Sequence, residues 1–98
     1  MATRLFSINQ DVDGTYLFKG ELTIHDLDYL KDFLESSVAR SKKVSISMAD
    51  VEFADTASLQ LLVAFKKSLR NKEWKITALS DEMEKILTIS GLKRFLES

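Results

Sequence analysis

Between Val44 and Leu79 the spacing of apolar residues changes twice, and that double change restricts the fold more than any other feature of the chain. Val44, Ile46 and Met48 alternate with Ser45 and Ser47, the period of two expected of a strand with one buried face. From about Thr56 to Asn71 the apolar residues recur at helical spacing, and Trp74, Ile76 and Leu79 then return to a strand. A strand, a helix and a second strand joined in this way close into one sheet by a right-handed crossover, which makes the two strands parallel. The middle of the chain is therefore α/β.

The flanks fit the same sheet. Leu5, Phe6 and Ile8, then Tyr16, Leu17 and Phe18, form two β-rich runs, and Asp13-Gly14 between them is a hairpin signal. Gly20 is expected to end the second strand. Leu27, Leu30, Phe33, Leu34 and Val38 make an apolar helical stripe, with Thr23 or His25-Asp26 at its start and Ser41-Lys42-Lys43 at its end. Ser80-Asp81 opens a third helix carrying Met83, Ile86, Leu87 and Ile89. Ser90-Gly91 breaks that helix, and a short last one holds Leu92, Phe95 and Leu96. The expected order is β-β-α-β-α-β-α-α. We read residues 1–98 as a single α/β domain with a mixed sheet of about four strands and helices mainly on one face.

Several functions are disfavoured by what the chain contains. With 45% apolar residues and no cysteine, it can build a core without disulfides or thiolate metal sites. Fourteen basic residues against fifteen acidic ones give a net charge of −1, whereas phosphate contacts in nucleic-acid binders call for a basic excess. The N-terminal MATRLFSINQ has no signal-peptide architecture, and no window approaches the apolar length of a membrane span. The expectation is a cytoplasmic protein that binds neither nucleic acid nor membrane. His25 is the only histidine, and three glycines form no phosphate-cradling loop. Asp50, Glu52 and Asp55 are close in sequence, but the first two read as surface residues flanking a turn. No catalytic residue, metal site or cofactor is expected.

Asp55-Thr56 stands where the strand pattern gives way to the second helix. Both types are favoured N-cap residues, because their oxygens accept bonds from the free N–H groups of a first turn. The same dipole and N–H groups favour negative charge, so a hydroxyl there could carry a phosphate without unfolding the domain. At 3.6 residues per turn, Ala57, Ser58, Leu61, Leu62, Ala64, Phe65 and Leu69 cover one arc, read as the core side. Thr56, Gln60, Lys66, Lys67 and Arg70 cover the other. Leu59 and Val63 fall within that polar arc. Either a neighbouring helix covers them, or they form an exposed apolar patch beside a modifiable hydroxyl, the appearance of a docking surface. The second alternative gives a contact surface of Asp55, Thr56, Leu59, Gln60 and Val63, with Thr23, Ile24, His25 and Asp26 at its edge.

Asp55-Thr56-Ala57-Ser58-Leu59, followed by an apolar helix, resembles the D-[S/T]-x-G-L signature of STAS domains, the family of anti-sigma factor antagonists. Gly20-Glu21-Leu22 is similar to the family's second-strand ending, and Leu79-Ser80 followed by Ile86-Leu87-Thr88-Ile89-Ser90-Gly91-Leu92 to its C-terminal L-x-x-x-G-L ending. The resemblance covers nearly the whole chain. It implies that Thr56 is the phosphate acceptor for a partner serine kinase that is itself the anti-sigma factor, with a phosphatase reversing the modification. It also implies that the protein is not an enzyme and binds no nucleotide. Two positions depart from the pattern: Ser58 stands where the family usually has Gly, and Thr23 where antagonists usually have Asp. Leu22-Thr23-Ile24 and the stretch from Asp55 to Leu62 are similar to small STAS proteins of chemotaxis gene clusters. That similarity implies an alternative role, a constitutive adaptor in a chemotaxis or transport signalling complex.

Overall fold

The computed structural model describes residues 5–38, 40, 42–68 and 73–97. Two strands, β1 (Phe6–Gln10) and β2 (Tyr16–Leu22), form an antiparallel hairpin. Its turn is built as the Asp13-Gly14 signal indicated. Asp11 accepts from the N–H of Gly14 at 3.0 Å, and Gly14 has a φ of 92°. A 3-10 turn (Ile24–Asp26) leads into α1 (Leu27–Phe33), which widens into a π-helical turn (Leu34–Val38). Strand β3 (Lys43–Ala54) follows, then α2 (Thr56–Ser68), β4 (Glu73–Leu79), α3 (Asp81–Ser90) and α4 (Lys93–Glu97). The expected α2 end at Asn71, the arc positions Leu69 and Arg70, and Ser41 lie outside the described residues.

The four strands lie in the order β1-β2-β3-β4, and β3 pairs in parallel with both β2 and β4. The expected mixed sheet is thus the observed one. Along β2, Phe18 and Leu22 are buried while Leu17, Lys19 and Glu21 are exposed. This alternation is what a sheet covered on one face produces. Phe6, Phe18, Leu22, Val44, Ile46 and Met48 from the strands share one buried cluster with Leu30, Leu34, Leu62, Met83, Leu87 and Leu96.

Gly20 corrects the sequence reading. It does not end β2, which runs on to Leu22 through a register shift between Gly20 and Glu21. Its φ is 101°, and a Cβ at this position would lie 2.1 Å from the Leu5 carbonyl oxygen. Only glycine lets β1 approach β2 here while the chain adopts that conformation.

Two side chains occupy the start and outer edge of β1. The Asp26 carboxylate accepts from the Leu5 N–H at 2.8 Å, and the Tyr29 hydroxyl accepts from the Ile8 N–H at 3.2 Å. Asp26 is buried, so it serves the β1 approach rather than capping α1, where it makes no side-chain cap bond. At the other end of the sheet, the Ser80 hydroxyl caps α3 by accepting from Met83 N–H at 3.0 Å and donates to the Val51 carbonyl at 2.5 Å. One small side chain thereby fixes α3 against β3.

Candidate functional site

The corner where β3 meets α2 is organised by Asp55. Its Oδ1 accepts from the Ser58 N–H at 2.9 Å, and its backbone carbonyl accepts from Leu59 N–H at 3.1 Å. These are the two bonds of an N-cap residue. Its Oδ2 accepts from the Ile24 N–H at 2.7 Å, and its own N–H donates to the Leu22 carbonyl at 3.0 Å. The carboxylate therefore caps α2 and holds the segment leaving β2.

Burial pushes the Asp55 carboxyl upward, but donors outweigh it. The N–H groups of Ser58 and Ile24 stabilise the charged form and hold the group below the usual carboxylate range. The Ser58 side chain adds to this lowering, over a contact short of a full hydrogen bond. Ser58 is completely buried, and its Oγ has no bonded partner. Only a hydroxyl distinguishes this residue from a well-packed alanine.

Thr56 is the first residue of α2 and is exposed. Gln60, one turn on, is exposed as well. The Thr23 hydroxyl accepts from His25 N–H at 3.3 Å, capping the 3-10 turn. Ile24 is 68% exposed, and the exposed His25 ring lies 3.9 Å from the Asp26 carboxylate. Thr23, Ile24 and His25 are therefore brought to the same corner as Asp55 and Thr56. Asp26 belongs to the interior behind it.

Leu59 and Val63 do not form an exposed patch. They are 1% and 8% exposed, inside the core, which overturns the expectation that they present an apolar docking surface. The buried stripe of α2 is Ser58, Leu59, Leu62 and Val63, the i, i+1, i+4, i+5 pattern of a helix lying on a sheet. Ala64, assigned to the core arc, is exposed, and Ala57, Leu61 and Phe65 are only partly buried. Counting small alanines as core residues rotated the arc away from its true centre.

The apolar surface at this corner comes from elsewhere. Phe53, two residues before Asp55, is 45% exposed and stands opposite Glu21 in the β2–β3 register. The sequence reading missed it because β3 loses its period of two beyond Met48, where Val51 and Ala54 are the buried positions. Ile24 and Phe53 thus flank the Asp55-Thr56 junction.

Among the described residues no cluster of three or more His, Asp or Glu side chains is arranged to hold a metal ion. No described helix is long and apolar enough to cross a membrane.

The family profile described as STAS domain matches residues 7–97. Among solved structures, the chain is similar to the crystal structure of an anti-sigma factor antagonist from Mycobacterium paratuberculosis. The identity is 22% and the TM-score 0.72, over 91% of this chain and 79% of that one. It is also similar to the anti-sigma factor antagonist SpoIIAA in its unphosphorylated form. There the identity is 16% and the TM-score 0.69, over 92% of this chain and 84% of the other. At these identities the likeness is one of fold. No curated protein matches the chain.

Proposed function

This chain belongs to the STAS domain family, and on that premise we propose that it is a non-enzymatic regulatory domain of the anti-sigma factor antagonist type, switched by phosphorylation of Thr56. One observation carries the reading. Thr56 is exposed at the first turn of α2, directly after an N-cap that is held in place from two sides. A phosphate added there adjoins the positive end of the helix dipole, so the fold tolerates it. About two negative charges meanwhile transform the surface that a partner meets.

The partner is a serine kinase that also acts as the anti-sigma factor, and a phosphatase restores the unmodified state. The contact surface is Thr56 and Gln60 on α2, with Thr23, Ile24, His25 and Phe53 around them. Asp55 shapes this surface from within. Neither a cofactor nor a nucleotide takes part on this chain. The setting is cytoplasmic.

A second reading has one observation in its favour. Thr23 stands where antagonists usually carry Asp, and its hydroxyl is used internally, accepting from His25 N–H. A surface without that acid suits a constitutive adaptor in a chemotaxis or transport signalling complex. Incubation with the cognate kinase and ATP, followed by peptide mapping, separates the two. Phosphate on Thr56, absent from Thr56→Ala, is the expected result. Phosphate confined to other hydroxyls overturns the Thr56 assignment, and none with a kinase shown to be active favours the adaptor reading instead.

A further inference from the structure

An apolar hollow away from the Asp55 corner lies between the β1–β2 hairpin and the helical segment running from α1 into the π-helical turn. It has a volume of about 370 Å³, and Ile8, Tyr16, Tyr29, Asp32, Phe33 and Ser36 are among the residues that line it. Tyr16 and Phe33 meet edge to face, with centroids 4.8 Å apart and ring planes at 79°. Phe33 makes a second such contact with Phe18 at 5.7 Å. The Tyr29 hydroxyl is engaged by the Ile8 N–H, which fixes the wall at that side. Tyr16, Tyr29 and Phe33 are only partly buried and line the hollow, so some of their surface remains open to it.

The charge of the lining has one sign. Among the described residues Asp32 is the only carboxylate there, and no lysine or arginine lines the hollow. Asp32 is exposed and has no ion pair among the described residues. Asp28, one helical turn earlier and also exposed, adds negative charge on the same side of α1. The far wall is π-helical, a geometry that is rare in proteins and concentrated at functional sites.

We propose that this hollow binds a small organic cation bearing a methylated ammonium group. Aromatic walls attract a weakly hydrated cation through their ring quadrupoles, and an unpaired carboxylate at the rim supplies the countercharge. A methylated ammonium also presents apolar methyl surface to the rings, which a metal ion or a strongly hydrated primary ammonium does not. The volume lies in the range of small-molecule sites. The site is separate from the Thr56 surface and does not depend on how that surface is used.

The test is a titration of the isotope-labelled protein with choline, followed by amide chemical shifts, with 3,3-dimethyl-1-butanol as the neutral isostere. Choline should give saturable shifts at Ile8, Asn9, Tyr16, Phe33 and Ser36, with a dissociation constant of about 1 mM. The neutral isostere should bind roughly tenfold more weakly, the ratio that a modest cation–ring attraction produces. Asp32→Asn, an exposed change that leaves the core alone, should weaken choline by about threefold to tenfold without altering the isostere. Phe33→Leu should weaken both ligands. Shifts that do not saturate, shifts confined to another surface, equal binding of choline and its isostere, or choline binding unaffected by Asp32→Asn would each overturn the proposal.

Discussion

The Asp55 carboxylate reaches across 31 residues of sequence to hold the Ile24 N–H at 2.7 Å, while its other oxygen caps the helix that follows. The segment after β2 and the start of α2 are therefore tied to one charge. Asp55→Ala removes both acceptors and should cost about 2 kcal/mol in chemical denaturation. Asp55→Asn keeps a capping side chain but loses the charge and should cost less.

Acid should reveal the same carboxylate. Its folded pKa lies below the ordinary 3.8, so the folded state holds the proton less tightly than the unfolded chain does. The resulting stabilisation is complete above the unfolded value and is lost as pH falls through the lower folded one. Below about pH 4, wild type should lose stability more steeply than Asp55→Asn. Parallel denaturation curves for the two across that range would show that the Ile24 and Ser58 donors do not favour the charged form.

Charge placed at Leu59 or Val63 should unfold the domain. Both side chains are in the core, and an unpaired buried carboxylate costs several kcal/mol or more. Leu59→Ala should already cost about 2–5 kcal/mol. Thermal melts of these variants decide the matter without any partner, and near-native melting of Leu59→Glu would return that residue to the surface.

Ile24→Glu and Phe53→Glu should behave in the opposite way. Both side chains are substantially exposed, so stability should change by no more than about 1 kcal/mol. Affinity for the partner proposed to recognise Thr56 should fall by about tenfold or more, because exposed apolar anchors concentrate binding energy. Calorimetry with the purified partner reads this directly. Unchanged affinity in both variants would move the interface away from this corner.

Ser58→Ala should raise the melting temperature by several degrees. The serine hydroxyl is buried without a bonded partner, and its removal relieves a desolvation cost of about 1 kcal/mol while improving helix propensity. In a domain of this size that corresponds to roughly 4–8 °C. A fall in melting temperature would show that the hydroxyl serves the Asp55 carboxylate more than its geometry indicates.

The sheet was readable from the sequence because its signals are local. Asp13-Gly14 encodes a turn by itself, and the change of period around Asp55 marks the start of α2. The cap role of Asp55 was legible for the same reason. Its bond to Ile24 was not, since nothing in either segment encodes the other. Gly20 shows a similar limit: a glycine in a strand pattern signals a break or a bulge, and only the approach of Leu5 decides between them. On α2 the difficulty was one of weighting. Leu59, Leu62 and Val63 set the orientation of the helix through their bulk, whereas Ala57 and Ala64 are apolar in name but bring little area to bury.

Strand β1 is the outermost strand on its side of the sheet, the place where a second polypeptide could add itself by main-chain pairing. Yet the Ile8 amide is already committed to the Tyr29 phenol, and the Leu5 amide just before the strand to Asp26. A strand arriving from solution would have to displace the Tyr29 phenol to pair with the Ile8 amide. The contact that anchors β1 to the helices thus also withholds an edge amide from intermolecular strand pairing, on an edge already kept to five residues.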